Sequence, residues 1–166
     1  MATKKPTSRK EALEMMAKRK KKIDLPPESK LQQSIVVAYY DRYPERENDL
    51  IGYDANGSNG AEGAAKLGMG VRKSVSDLMW FSNHRCHGLE LKTENSRHDS
   101  LHVYNQAKFI VEKCGQGAFI TSVEMFWDYI EGRGKGIPAQ FVMDYIKKTG
   151  VKTILFSNLL ALLKEK

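Results

Sequence analysis

Two cysteines, Cys86 and Cys114, are all that 166 residues contain. That is too few for the disulfide framework of a small secreted domain, so free thiols are expected. No apolar run reaches the ~20 residues a membrane-spanning helix needs. Lys4, Lys5, Arg9 and Lys10 are followed by no apolar segment of the signal-peptide kind. The expectation is a cytoplasmic protein that does not engage a membrane. The one glycine-rich basic stretch, Gly132-Arg-Gly-Lys-Gly136, lacks the spacing of a phosphate-cradling loop and reads as a connector. No organic cofactor is expected. His84, Cys86 and His87, with Cys114 or His98 elsewhere, are conceivable zinc ligands, but a structural zinc site wants four ligands at recognisable spacing, and turn residues facing water account for them equally well.

What is present is charge, unevenly placed. The chain carries 27 Lys and Arg against 20 Asp and Glu. Residues 1–22 alone hold nine of the bases and only Glu11 and Glu14 of the acids, so the whole net charge of +7 sits there and the rest is formally neutral. An excess concentrated in a terminal arm suits a polyanion such as nucleic acid, and suits a solubilising tail as well. With 41% hydrophobic and 28% charged residues, the remainder has the composition of a globular domain of ordinary size. The division expected is a basic arm over 1–25, a core over 26–131, and a helix-strand-helix extension over 132–166 that packs on the core.

Ser8-Arg-Lys-Glu11 has the capping-box pattern, which makes part of the arm a candidate helix. Pro26 and Pro27 can start another, and Leu31, Ile35, Val36 and Tyr39 place a buried stripe on a helix from Glu28 to about Tyr40. Tyr39, Tyr40, Phe126 and Trp127 fall on such stripes and read as core. Pro44 ends that helix, Asn56-Gly-Ser-Asn-Gly60 signals a turn, and a short helix near 61–67 follows. Strands are expected over Val75–Phe81, Leu89–Thr93, "AFITS" and "KTILF". Helices are expected over Leu101–Cys114, from a Ser122 cap to Ile130, over Pro138–Lys148, and from Ser157. This alternation predicts an α/β (α+β) fold around a central mixed sheet flanked by helices.

The stretch "GVRKSVSDLMWFSNHRCHGLELK", Gly70 to Lys92, concentrates the chemistry. With Asn83 and His84 as a two-residue turn, paired residues sum to 167, which sets Asp77 opposite Glu90 and Val75 opposite Lys92. Opposed residues share a face, as do residues two apart, so Asp77, Glu90 and Lys92 project together while Leu78, Leu89 and Leu91 enter the core. Facing carboxylates repel and need a neutraliser. Lys92 would serve in a plain salt-bridge cluster; a divalent cation would serve in a catalytic one. Mg²⁺ takes oxygen ligands, usually one or two protein carboxylates, and can stabilise charge on a phosphodiester.

These residues have a likeness. "DLMW" followed by "GLELKTE" resembles the core of PD-(D/E)xK nucleases. Glu28 and Gln32 in Glu-x-x-x-Gln, Asn56-Gly57, "AAKLGMGVRKSVSDL", "GLELK" and Gln106 in "NQAKF" are together similar to the VRR-NUC branch, over about Glu28 to Ile130. The resemblance implies a restriction-endonuclease-like core and a metal-dependent DNA endonuclease acting on branched DNA such as Holliday junctions, often as a homodimer, of a kind common in phages and bacteria. It implies Asp77 and Glu90 as ligands of Mg²⁺ or Mn²⁺, joined by the Leu91 carbonyl. Lys92 would assist the attacking water, Gln106 would support the site, and Glu28 matches the acid of the first helix. Arg72 and Lys73, ahead of the acid strand, and Lys108 on the Gln106 helix are the candidate DNA contacts. Ser76 stands where the family usually has proline, and residues beyond about Gly132 have no clear counterpart there. A DNA-binding or assembly factor that keeps the fold without cleaving is the alternative.

Overall fold

The computed structural model describes residues 27–46, 48–53 and 75–165. The arm, the Asn56–Gly60 turn, the expected helix over 61–67, and Arg72 and Lys73 lie outside them.

Helix α1 spans Pro27–Arg42, opening on a proline whose missing N–H is not needed in a first turn, with Glu28 and Arg42 at the ends that suit their charges. It buries Ile35, Tyr39 and Tyr40. Strand β1, Leu50–Gly52, falls in a stretch expected to be loop; three residues with only Leu50 buried show no alternation. Strands β2, Leu78–Ser82, and β3, Arg85–Leu91, form an antiparallel hairpin whose pairs run from Leu78 with Leu89 to Ser82 with Arg85, the register that sums to 167. Asn83 and His84 take φ of 49° and 62°, the left-handed pair that a two-residue turn requires. Both strands are shifted from expectation. The ladder begins only at Leu78, and β3 starts at Arg85 because each strand must continue to the turn.

Strand β4, His98–Asp99, leads into α2, Ser100–Phe109. The helix then widens into a π turn over Ile110–Cys114, where Gly115 N–H donates to the Ile110 carbonyl at 2.9 Å. Strand β5, Gln116–Ile120, runs parallel to β3. Helix α3, Val123–Ile130, is capped as expected: the Ser122 hydroxyl accepts from Met125 N–H at 3.1 Å. Then come β6 (Ile137–Pro138), α4 (Ala139–Thr149), β7 (Thr153–Ile154) and α5 (Phe156–Lys164). The main sheet has the order β1-β2-β3-β5-β6, mixed in direction, and β4 pairs with β7 in a two-stranded sheet. This is the mixed α/β architecture the sequence predicts.

The sheet has a core on each face. Leu78, Leu89, Leu91, Ala118 and Ile120 meet α1 and α3 through Ile35, Tyr39 and Phe126. Phe119 points the other way, into Val103, Ala107 and Ile110 of α2 and its π turn, and into Val142, Phe156 and Leu159 of α4 and α5. Each such fully buried Leu or Phe contributes about 1.5–3 kcal/mol. Residues 132–166 therefore supply most of one core and, in β6, a strand of the sheet. Two glycines let α2 and the sheet close up. A Cβ on Gly88 would meet Ser76 Oγ at 2.7 Å, Cys114 Sγ at 3.0 Å and Ile110 Cγ1 at 3.1 Å. One on Gly117, at φ 148°, would lie 2.0 Å from the Gly88 carbonyl oxygen.

Candidate active site

Alternation along β3 sends Leu89 and Leu91 toward α1 and α3, and Glu90, with Lys92 just past the strand, toward α2. Both polar residues are enclosed: Glu90 is 0% and Lys92 4% exposed. Lys92 Nζ donates to Glu90 Oε1 at 2.8 Å and lies 3.9 Å from Glu28 Oε1. The Gln106 amide donates to the same Glu90 oxygen. Asp77 closes the hairpin, its Oδ2 accepting from Leu91 N–H at 2.9 Å. Its own carbonyl accepts from Tyr53 N–H at 2.8 Å and from the Gln32 amide at 3.4 Å, so α1 and β1 fix it from behind. Four of the expected residues, Asp77, Glu90, Lys92 and Gln106, converge, and Glu28 reaches in from α1. Lys92 is not paired with Val75; its N–H donates to the Ile120 carbonyl at 3.0 Å and belongs to the β3–β5 edge. Among the described residues no peptide bond is cis, so the Leu91 carbonyl points away from β5, to the side where Asp77 lies.

Burial pushes the Glu90 carboxyl up to about 8, and the Asp77 charge adds to this; the Lys92 ammonium offsets only part. Burial by itself would lower Lys92, but the Glu90, Glu28 and Asp77 carboxylates outweigh it and hold the amine above its usual value. Near neutral pH the buried pair therefore keeps a proton that an exposed Glu and Lys would have shed. The buried oxygens Glu90 Oε2, Gln106 Oε1 and Glu28 Oε1 have no hydrogen-bond donor. A buried acceptor left this way costs about 1–3 kcal/mol, and carboxylate and amide oxygens are the ligands a hard cation takes. Among the described residues no three His, Cys, Asp or Glu converge into a full metal cage. Two carboxylates and a carbonyl match the sparse protein ligation of Mg²⁺, whose remaining positions are taken by water and substrate.

Two histidines complete the surroundings. His98, positioned by the β4–β7 pair, has Nδ1 3.7 Å from Glu28 Oε1 and Nε2 3.3 Å from the Thr93 carbonyl. His102 lies in the first turn of α2, where its N–H donates to the Asp99 cap at 2.8 Å. Burial lowers the His102 imidazole below its usual value, and Lys92 lowers it further against Asp99, Asp77 and Glu28. Of these two only His98 was a candidate from sequence, and as a zinc ligand; the signal for His102 was its place four residues before Gln106.

Other candidates do not join the cluster. Lys108 is two residues from Gln106, about 200° around the helix, and its Nζ lies 3.7 Å from Glu112 Oε1 on an exposed flank. His87 and Cys86 project to opposite faces of β3: the His87 ring packs on Trp80, with Nδ1 2.9 Å from the Tyr129 hydroxyl, while Cys86 and Cys114 are free thiols. A cavity of about 430 Å³ opens at the hairpin tip between Arg46, Asp49, Phe81 and His84, at the far end of β2 from Asp77. None of the unpartnered buried oxygens lines it. No helix of the described residues is long and apolar enough to cross a membrane.

No family model, no curated protein and no solved structure matches the chain.

Proposed function

We propose that the chain is a metal-dependent DNA endonuclease that hydrolyses phosphodiester bonds, with branched DNA such as Holliday junctions as its substrate class. The observation that carries this is a buried Glu90 carboxyl that interacts with Asp77, one of its oxygens held by Lys92 and Gln106 and the other, Oε2, without a donor. Most buried side-chain polar atoms find a partner, so an open carboxylate oxygen facing a second carboxylate is a place for a cation. Asp77, Glu90 and the Leu91 carbonyl are the groups that would hold Mg²⁺ or Mn²⁺. When bound, the ion would add positive charge against the phosphate and lower the pKa of water.

The chain's own part follows from the geometry. Lys92 and Gln106 both grip Glu90 Oε1, which turns Oε2 toward Asp77, while the Leu91 N–H fixes Asp77. The Lys92 ammonium, held between Glu90 and Glu28, is a preorganised charge for the phosphodiester oxygens as negative charge develops on them. Packing of α2 on Gly88 keeps bulk water from the inner side of the pair.

The test uses labelled duplex and four-way junction with Mg²⁺, Mn²⁺ or EDTA, and gel-shift affinity in Ca²⁺. Wild type should cut only with Mg²⁺ or Mn²⁺. Asp77→Asn, nearly isosteric, should bind DNA at least as tightly, because a surface charge facing a polyanion is gone. It should cut at least ~10²-fold more slowly, since losses of transition-state electrostatics are worth several kcal/mol. Asp77→Asn cutting at the wild-type rate would return the chain to a DNA-binding or assembly factor.

A further inference from the structure

The face of β3 that carries Glu90 is matched residue for residue by one stripe of α2. Ile110 and Cys114 lie over Gly88, with atoms 3.1 and 3.0 Å from its Cβ position, and one turn earlier Gln106 donates to Glu90. Helix and strand thus run antiparallel along this face, and before the π turn a helical turn, Ile110 to Gln106, advances two residues on the strand. One turn earlier again, this places His102 over Lys92. The electrostatics agree: Lys92 is the cation that acts on His102, with Asp99, Asp77 and Glu28 the carboxylates that act on it. Unlike its neighbours in the stripe, His102 is exposed, so its ring stands at the mouth of the site.

Resting on the nuclease reading, we propose that His102 accepts the proton of the attacking water. Hydrolysis needs such an acceptor, and the other groups are engaged. Lys92 donates to Glu90 and faces Glu28, with no lone pair to offer. Asp77 Oδ2 holds the Leu91 N–H, Glu90 Oε1 takes two donors while Oε2 is left to the metal position, and Glu28 Oε1 lies in ion-pair range of Lys92 and His98. The His102 imidazole faces Lys92 from β3, Asp77 ahead of β2, Glu28 from α1 and Asp99 from β4; burial and Lys92 prevail over the three acids, so the ring is neutral at neutral pH and carries a free electron pair. As the water oxygen bonds to phosphorus, one water proton passes to this nitrogen. The bond from phosphorus to the leaving sugar oxygen breaks with its electron pair on that oxygen, which takes a proton from solvent. The imidazolium then returns its proton to solvent, and the atoms balance to a phosphomonoester and an alcohol.

Cleavage rates of wild type, His102→Ala and His102→Gln are measured from pH 6 to 9 in Mg²⁺, with gel-shift affinities in Ca²⁺ and with added imidazole. Both variants should lose about 10²-fold or more in rate at unchanged affinity. Free imidazole should restore part of the His102→Ala rate, because the site is open to solvent there, and the variants' pH profile should lack one ionisation. Cutting at the wild-type rate overturns the assignment. So does a rate loss matched by a loss of affinity, which marks a phosphate contact, or a loss that neither imidazole nor pH alters. Wild type that cuts no DNA under any condition overturns the nuclease reading and this inference together, whereas wild type cutting no faster than His102→Ala overturns this one alone.

Discussion

Replacing Glu90 by glutamine should make the metal-free protein more stable at alkaline pH. The carboxyl titrates near 4.5 when unfolded and at about 8 in the fold. Between those values the folded state binds more protons than the unfolded state, so stability falls as pH rises through the window and levels off above about 8. A difference of about 3.5 pH units, at ~1.4 kcal/mol each, sets an upper bound of about 5 kcal/mol on that loss. Water entering the site would reduce it. Glutamine imitates the protonated acid: its carbonyl oxygen can still accept from Lys92 and Gln106, while its amide faces Asp77. Denaturant unfolding of both proteins in EDTA, from pH 5 to 9, isolates the contribution because every other group is common to the two. Wild type should lose more than ~1 kcal/mol per pH unit relative to Glu90→Gln between pH 5 and 8. Parallel curves would mean that Glu90 is hydrated and ionised in the fold, and the description of a buried, proton-holding pair would be wrong.

Two further outcomes follow from the same geometry. Since Glu90 must shed its proton to bind a cation, Mn²⁺ affinity measured by calorimetry should rise up to about tenfold per pH unit below about 8 and flatten above; an affinity independent of pH from 6 to 9 would remove Glu90 from the ligand set. Gly117→Ala should destabilise by about 3 kcal/mol or more, because its Cβ falls 2.0 Å from a backbone oxygen, whereas Gly115→Ala, left-handed at φ 71° but with nothing within 4 Å, should lose about 1 kcal/mol. Equal losses in thermal or denaturant unfolding would show that Gly117 is not packed against β3.

The hairpin was legible because its turn and its alternation are local: two residues that tolerate left-handed backbone stand between apolar runs whose partners follow by counting. The convergence of Asp77, Glu90 and Lys92 came with it. Their enclosure did not. Alternation says that Glu90 and Lys92 leave the Leu89 side, and only the packing of α2 onto Gly88 shows that they enter a second interior rather than water. Strands β1, β4 and β6, of three and two residues, carry no period of their own and exist through partners far along the chain. The pairing of Val75 with Lys92 failed because Asp77 spends its side chain, not its backbone, on β3.

The π turn at Ile110–Cys114 has a bearing on how such a chain can change length. An α-helix that meets its neighbour every fourth residue drifts about 40° past the contact at each step, so the stripe that runs from His102 through Gln106 to Ile110 would walk off β3 at its next step. The wider turn takes up that drift just where Cys114 must return over Gly88. One residue gained or lost there leaves the stretch from His102 to Gln106 in phase with Lys92 and Glu90, and instead moves Gly117 out of line with Gly88. Length variation in this helix would thus be read first in the alignment of the sheet, with the chemistry upstream of it untouched.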